Sequence, residues 1–435
     1  VSANMHIDKQ VFNANLLEFL DQAPTPFHAV AQLKLALKTK GFQELKLEDP
    51  WSLVSGQGYY ITRNDSALIA FVYQGDTLHQ AGISFVGAHT DSPCLKLKPN
   101  PLIYSQGCVQ LGVEVYGGAL LNPWFDRELS LAGRITYLNS AGQITSCLWD
   151  AQAPIACIPS LAIHLDREAN KGREVNAQLH LPAVCMQAED ESLDFKDFLQ
   201  HALAREDIQQ ILDYELSLYD TQKASYWGWN QEFIASARLD NLVSCYVGLQ
   251  TLLTAAPESH KTLMLVCMDH EEVGSASCAG AHGPFLAHVL RKLAPEERDY
   301  QQMLAASLFI SCDNAHAQHP NFADRHDLLH APQLNQGPVI KFNANQRYAT
   351  NSETSAVFRW ACQQAQVPVQ VFSMRSDLAC GSTLGPISAS EIGVNTLDVG
   401  VPQWGMHSIR ETMGADDAYY LYQALVSLHQ QKVES

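Results

Sequence analysis

Three apolar stretches that lie far apart in the chain finish in side chains of the kind that ligate metals. ISFVGAHTD ends in His89 and Asp91, LMLVCMDHEE in Asp269 to Glu272, and LFISCDNAH in Asp313 and His316. Short runs rich in β-branched and aromatic residues, bounded by turn signals, suit strands buried on both faces. In open α/β sheets ligands bind beyond the carboxyl ends of the strands, so groups remote in sequence can converge there, and a bound cation can compensate their charge. One His or Asp at a strand end is commonly a solvated loop residue or a helix cap. Three such ends, with ARLDN and GMHSIRE in loops or at helix starts, point instead to a shared centre. Carboxylates and imidazoles without thiolates suit zinc, with manganese and cobalt as alternatives.

The rest of the chain organises around these runs. Residues 11–40 read as two helices broken at Pro24-Thr25-Pro26, because proline cannot supply a helix-interior donor. ALIAFVYQ and GISFVGAH then read as strands. From 95 to 235 the text is β-rich and irregular: VQLGVEVYGG and GRITYLNSAGQITSCLWD alternate like half-exposed strands, and DFKDFLQHALAREDIQQIL reads as a helix. ARLDNLVSCYVGLQTLLTAA predicts a helix with Leu242, Tyr246, Leu249 and Leu253 on one face. Strands and helices alternate after it, closing with a helix in DDAYYLYQALVSLHQ. The fold expected is α/β, with a central mixed, largely parallel sheet covered by helices. One domain is assembled from 5–94 and 236–435, interrupted by a β-rich insertion over 95–235. The four residues VSAN before Met5 read as a cloning remnant.

Composition narrows the function classes. With 435 residues, 46% of them hydrophobic, the chain can bury large cores. A formal charge of −18 repels nucleic-acid phosphates and anionic membranes. Eleven scattered cysteines without a C-x-x-C spacing suit single thiols in a reducing compartment and exclude a zinc finger. No apolar run approaches the ~20 residues that span a bilayer. A cytoplasmic protein is expected, with neither nucleic acid nor membrane as a partner.

No H-E-x-x-H occurs, so a single-zinc site carried on a helix is not supported, and a two-metal site with a bridging carboxylate and a base fits better. GSASCAGAHG and CGSTLGP lack the Lys and spacing of a phosphate loop and read as turns. Paired acids on one strand end cannot flank a sugar ring, which disfavours a glycosidase. His270, His282, His316, His319, His326 and His330 receive no role, although the run from His316 to His330 follows Asp313 and is a candidate lining of the pocket.

VGAHTDSP, GGALLNPWFDRELSLAGR, IPSLAIHLDR, ARLDN, DHEEVGS, KFNANQRYATN, CGSTLGPI and GMHSIRE, in this order, resemble the M18 metallopeptidases, specifically the aspartyl aminopeptidases, over nearly the whole chain. The resemblance implies a zinc-dependent exopeptidase fold whose insertion serves dimerisation. It implies two divalent ions per subunit: His89, Asp240 and Asp313 on one, Glu272 and His407 on the other, with Asp240 bridging. Asp91 would fix the ligand imidazole and Glu271 would be the general base. Lys341 and Tyr348 would form the first substrate pocket and select peptides with N-terminal Asp or Glu. On its residues alone His164 is a histidine on an apolar strand. The resemblance has it reach a neighbouring subunit's site and stabilise the oxyanion, within a tetrahedral dodecamer built from dimers whose active sites face an inner chamber. The alternatives are an M18 aminopeptidase preferring neutral residues such as Leu, and a non-catalytic peptide-binding scaffold.

Overall fold

The two helices expected near the N-terminus are Lys9–Asp21 and Pro26–Thr39. Asp8 caps the first, its carboxylate accepting from the N–H groups of Gln10 and Val11, and Thr25 caps the second with Pro26 at the first helical position, where no N–H is needed. The structure, a computed structural model, describes residues 7–188, 193–255 and 259–430, so the VSAN segment lies outside the described residues. The chain divides into two compact units. One comprises the chain up to Asp91, Ala224–Met406 and the chain from Glu411; the other is Ser92–Lys223 with His407–Arg410.

The first unit is built on a nine-stranded sheet. Its order is Gln43–Glu44, Gly58–Arg63, Ala67–Val72, Thr262–Met268, Ile83–His89, Leu308–Cys312, Asn395–Gly400, Val339–Phe342 and Gln370–Ser373. Five of the eight pairings are parallel and three antiparallel, which makes the sheet mixed and largely parallel, as expected. The three runs that end in charge are neighbours and run parallel. Met268 pairs with His89 and Ser311 with Gly87, so their carboxyl ends come level at one edge.

Helices cover this sheet. Leu239–Ala255 packs against it and is buried far beyond the single stripe expected: Val243, Cys245, Val247 and Leu252 are buried along with Leu242, Tyr246 and Leu249, while Leu253 is only partly so. Amphipathic periodicity misses a helix enclosed on several faces. Gly248 explains how closely it approaches, since a Cβ there would stand 2.5 Å from Leu265 and 3.1 Å from Val86. On the other face Phe85 stacks on Phe309 with ring centroids 5.4 Å apart, and truncating either ring to Ala would cost about 3–5 kcal/mol.

A second, five-stranded sheet in this unit joins Ser225–Trp227, Phe233–Ser236, Glu411–Gly414, Pro402–Trp404 and Ala315–His316. Nothing in the sequence patterning predicted it, because strands of two to four residues are too short to show a period.

The second unit is a six-stranded antiparallel sheet in the order Ile144–Asp150, Leu129–Asn139, Ile208–Asp220, Cys94–Ser105, Cys108–Tyr116 and Ala183–Gln187. The expected long helix from Asp194 is corrected here. It spans only Phe195–Leu203 and ends at Ala204 in the left-handed region, and Ile208–Asp220 is a strand. Register shifts at Ile208/Gln210 and Ile211/Asp213 break the alternation that would have marked it as one. Among the described residues no helix is long and apolar enough to cross a membrane, and all eleven cysteines are free.

Candidate active site

His89 is the last residue of its strand and is 1% exposed. Its Nδ1 lies 3.0 Å from the backbone oxygen of Asp91 and 3.4 Å from its Oδ1. Its Nε2 faces three carboxylates: Asp240 at 3.5 Å, and Glu271 and Asp313 each at 4.0 Å. Burial works to lower the pKa of this imidazole, but the Asp240 and Asp91 carboxylates and the Glu271 charge raise it well above its ordinary value. Asp240 lies at a kink near the start of Leu239–Ala255, where its backbone and that of Asn241 are non-helical, and Asp313 follows the strand Leu308–Cys312; Asp240 and Asp313 are both buried.

Glu271 and Glu272 sit on a short 3-10 turn, Glu271–Val273, just past the strand Thr262–Met268. Asp91, fully buried, clamps that turn: its Oδ1 accepts from the N–H of Glu271 and its Oδ2 from the N–H of Glu272, both at 3.1 Å. Burial raises Glu271 to about 8, the His89 charge opposing and the Asp313, Asp240 and Asp91 charges adding. Asp313 is raised by burial to about 6, with Lys341 opposing.

Ligand atoms of His89, Asp240 and Asp313 all lie within 4.8 Å of one another, as do those of His89, Glu271 and Glu272. The 3.5 Å from His89 Nε2 to Asp240 is long for a hydrogen bond. It is close to the ~3.3 Å between neighbouring ligand atoms of a tetrahedral ion with bonds of ~2.0 Å. Four carboxylates crowd one imidazole and one lysine, a set of hard and borderline donors that divalent cations fit.

Lys341, on the strand Val339–Phe342, is 2% exposed, with Nζ 3.7 Å from Asp313 Oδ2 and 5.3 Å from the centroid of the Tyr348 ring. Tyr348 is also buried, which pushes its hydroxyl pKa far up, and its ring meets Phe372 edge-on. The two candidate pocket residues are thus together, next to the carboxylate cluster.

His407 and His164 belong to the second unit. There His407 Nδ1 donates to the Gly118 carbonyl at 3.1 Å. His164 is not on a strand, contrary to the reading from its apolar neighbours: SLAIHLDR forms an exposed turn, with Leu161, Ile163 and Leu165 52%, 47% and 76% exposed.

The unassigned histidines take local partners: His270 with Ser277, His282 with Glu391, His319 with His326, and His330 with Asp327. His316 packs its ring against Phe372. GSASCAGAHG is a set of turns, whereas Thr383 of CGSTLGP caps the helix Leu384–Ile392.

The family model for aminopeptidase I zinc metalloproteases (M18) matches residues 19–429. The chain belongs to the M18 family. This M18 zinc metalloprotease is an aminopeptidase, a hydrolase that removes N-terminal residues. It is 56% identical over 417 residues to a probable M18 family aminopeptidase 2 of Stutzerimonas stutzeri, covering 95% of this chain and 96% of the relative. Among solved structures, one of a complex of Ape4 and Nbr1 matches with a TM-score of 0.93 at 35% identity, over 97% of this chain and 86% of that one. The S. cerevisiae mApe1 dodecamer matches with a TM-score of 0.83 at 26% identity, over 95% of each chain.

Sequence reasoning overlooked several buried polar residues around the cluster. Glu411, Gln403 and Asn314 are each no more than 2% exposed, and Asp398 is fully buried. Asp398 accepts from Thr383 Oγ1 and from the Ala349 N–H, both at 2.6 Å, tying the CGSTLGP and KFNANQRYATN segments together. The sequence shows only an acid inside the apolar run VNTLDVG and another closing GMHSIRE, neither set apart from other single acids.

Proposed function

We propose that this M18 aminopeptidase works with two divalent ions, zinc before manganese or cobalt, and prefers peptides with N-terminal Asp or Glu. His89, Asp240 and Asp313 would hold one ion, Glu272 and His407 the other, with Asp240 shared. When bound, such ions polarise a carbonyl and acidify water. Glu271 takes the proton of the attacking water on its carboxylate and hands it to the leaving amine. Asp91 keeps Glu271 and Glu272 in position through their backbone N–H groups and orients the His89 ring.

The observation that carries the acidic preference is Lys341, a buried cation beside the carboxylate cluster. A buried lysine is costly without a counter-charge. Asp313 supplies one, and once Asp313 is engaged by a metal that balance shifts, leaving the ammonium to attract an acidic substrate side chain. Tyr348 contributes the neighbouring hydroxyl. A panel of N-terminal Asp, Glu and Leu substrates tests this. Lys341→Ala should lower kcat/KM on the acidic substrates by about 10–100-fold, the worth of a charge-assisted hydrogen bond, and far less on Leu. Equal losses would refute the pocket. A wild-type preference for Leu would make this a neutral-residue aminopeptidase, and no hydrolysis by the zinc-loaded protein would make it a binding scaffold.

We also infer a tetrahedral dodecamer built from dimers, with the β-rich insertion serving dimerisation. The likeness to the yeast dodecamer supports it. So does the exposed apolar turn around His164, which would carry this histidine to the oxyanion in a neighbouring subunit. Free thiols throughout suit a reducing cytoplasm.

A further inference from the structure

Glu411 is a buried carboxylate that the proposed chemistry does not use. Its Oε2 accepts from the backbone N–H of Asp240 at 2.9 Å, and its Oε1 accepts from Gln403 Nε2 at 3.3 Å. Gln403 in turn accepts, through Oε1, from Asn314 Nδ2 at 2.8 Å, and Asn314 directly follows Asp313. A second stitch runs alongside, with Asn241 Nδ2 donating to the Cys312 carbonyl at 2.7 Å. The residues that follow one candidate ligand and precede the other are therefore bonded to each other.

The small sheet has the same logic. Phe233–Ser236, the strand that leads into Asp240, pairs with Glu411–Gly414, with Ser236 opposite Glu411. Glu411–Gly414 pairs with Pro402–Trp404, and that strand pairs with Ala315–His316, which follows Asp313, with His316 opposite Gln403. Four consecutive strands form a bracket whose outer members lead to Asp240 and to Asp313. The side-chain chain Glu411–Gln403–Asn314 runs across it.

Stability alone does not account for a carboxylate at this position. A neutral glutamine would offer the buried Asp240 N–H an acceptor at a smaller desolvation cost than a carboxylate. What a charged acceptor on the Asp240 N–H provides is a fixed direction for the ligand that follows from that peptide. We propose that Glu411, Gln403 and Asn314 are positioning residues that set Asp240 and Asp313 at ion-binding separation before the metal arrives. The proposal rests on the reading of these two carboxylates as metal ligands.

The test uses the full chain stripped of metal, titrated with zinc alone in a calorimeter, with thermal unfolding measured before and after zinc. Gln403→Met keeps the side-chain length and removes both hydrogen bonds. Asn314→Ala cuts the same chain at its other link and covers the case in which Gln403→Met does not fold. Zinc affinity should fall about tenfold or more in each, the usual cost of removing groups that orient ligands. The zinc-induced rise in Tm should shrink with it, and Glu411→Gln, which keeps an acceptor oxygen for the Asp240 N–H, should fall between these variants and wild type. Zinc affinity within about twofold of wild type would overturn the proposal. So would a lower metal-free Tm with the zinc-induced rise intact, the mark of a merely structural network. Asp240→Asn and Asp313→Asn separate the two levels: if they too bind zinc like wild type, the ligand reading itself fails, and if only they lose zinc, this inference alone does.

Discussion

Adjacent acids on one turn meet different surroundings. Glu271 and Glu272 both hang from Asp91 through their N–H groups, yet only Glu271 stands within 4.0 Å of His89 Nε2, with burial raising it to about 8. If Glu272 holds a metal as proposed, Glu271 is the carboxylate left to move a proton. Glu271→Gln should lower kcat by roughly 10²-fold or more while the zinc content stays at the wild-type level; metal analysis beside single-turnover kinetics checks both. A zinc-loaded Gln variant with full activity would return Glu271 to the status of a neighbouring acid. His89, Asp91, Glu271, Glu272 and Asp313 were legible in the sequence because apolar runs make the charge at their ends conspicuous. Asp398 and Glu411 were not, since one acid within or beside a short apolar segment has no pattern to set it apart until its donors, Thr383 and Ala349 for the first and Asp240 and Gln403 for the second, are known.

At the scale of elements, what could be read depended on length. Ile83–His89, Thr262–Met268 and Leu308–Cys312 are apolar throughout, and their parallel adjacency follows from helices intervening between strands. The five-stranded sheet carries Glu411 and Gln403, but its strands are too short for periodicity and are held by pairings between remote segments. The start of Ile208–Asp220 reads as helix because bulges hide its alternation, and the turn around His164 reads as strand because exposed leucines and an isoleucine imitate a buried one. The CGSTLGP segment shows a further limit. Its second glycine, Gly385, begins a helix against Asp398, and a Cβ there would stand 2.3 Å from both carboxylate oxygens. From sequence the residue is a turn former; in the fold it is the space that lets Asp398 reach the helix cap.

Assembly and solution conditions act on the whole molecule. If the exposed turn at His164 serves a neighbour's site, activity must follow oligomeric state. Light scattering coupled to assay should find activity in the dodecamer, and His164→Ala should lower kcat with the particle size unchanged. A stable and fully active monomer would remove both the assembly and the role of His164.

Two buried groups remote from the carboxylate cluster shape how global stability responds to pH, and they pull in opposite directions. His429, near the end of the last helix, is buried, with Nδ1 2.7 Å from Ser84 Oγ; burial, helped by the Lys261 charge, lowers it to about 4. It folds neutral, so its contribution is present above the unfolded value near 6.5 and is lost as pH falls toward 4. Asp417, at the start of the same helix, accepts from the N–H groups of Asn335 and Gly337, yet burial outweighs them and raises it to about 7. Its contribution is present below the unfolded value near 4 and is lost as pH rises through 7. Each change is about 3–4 kcal/mol at 1.36 kcal/mol per pH unit, and between pH 4 and 6.5 the two nearly cancel. Denaturant unfolding across that interval should therefore show opposite slopes when either group is replaced by an amide. His429→Gln should make stability fall more steeply with rising pH than in wild type, and Asp417→Asn should make it rise. The difference between variant and wild type is the quantity to compare, because the carboxylate cluster contributes equally to both. Parallel pH profiles for wild type and both variants would show that neither group titrates differently in the folded and unfolded chain, and the opposition between the two ends of this helix would be gone.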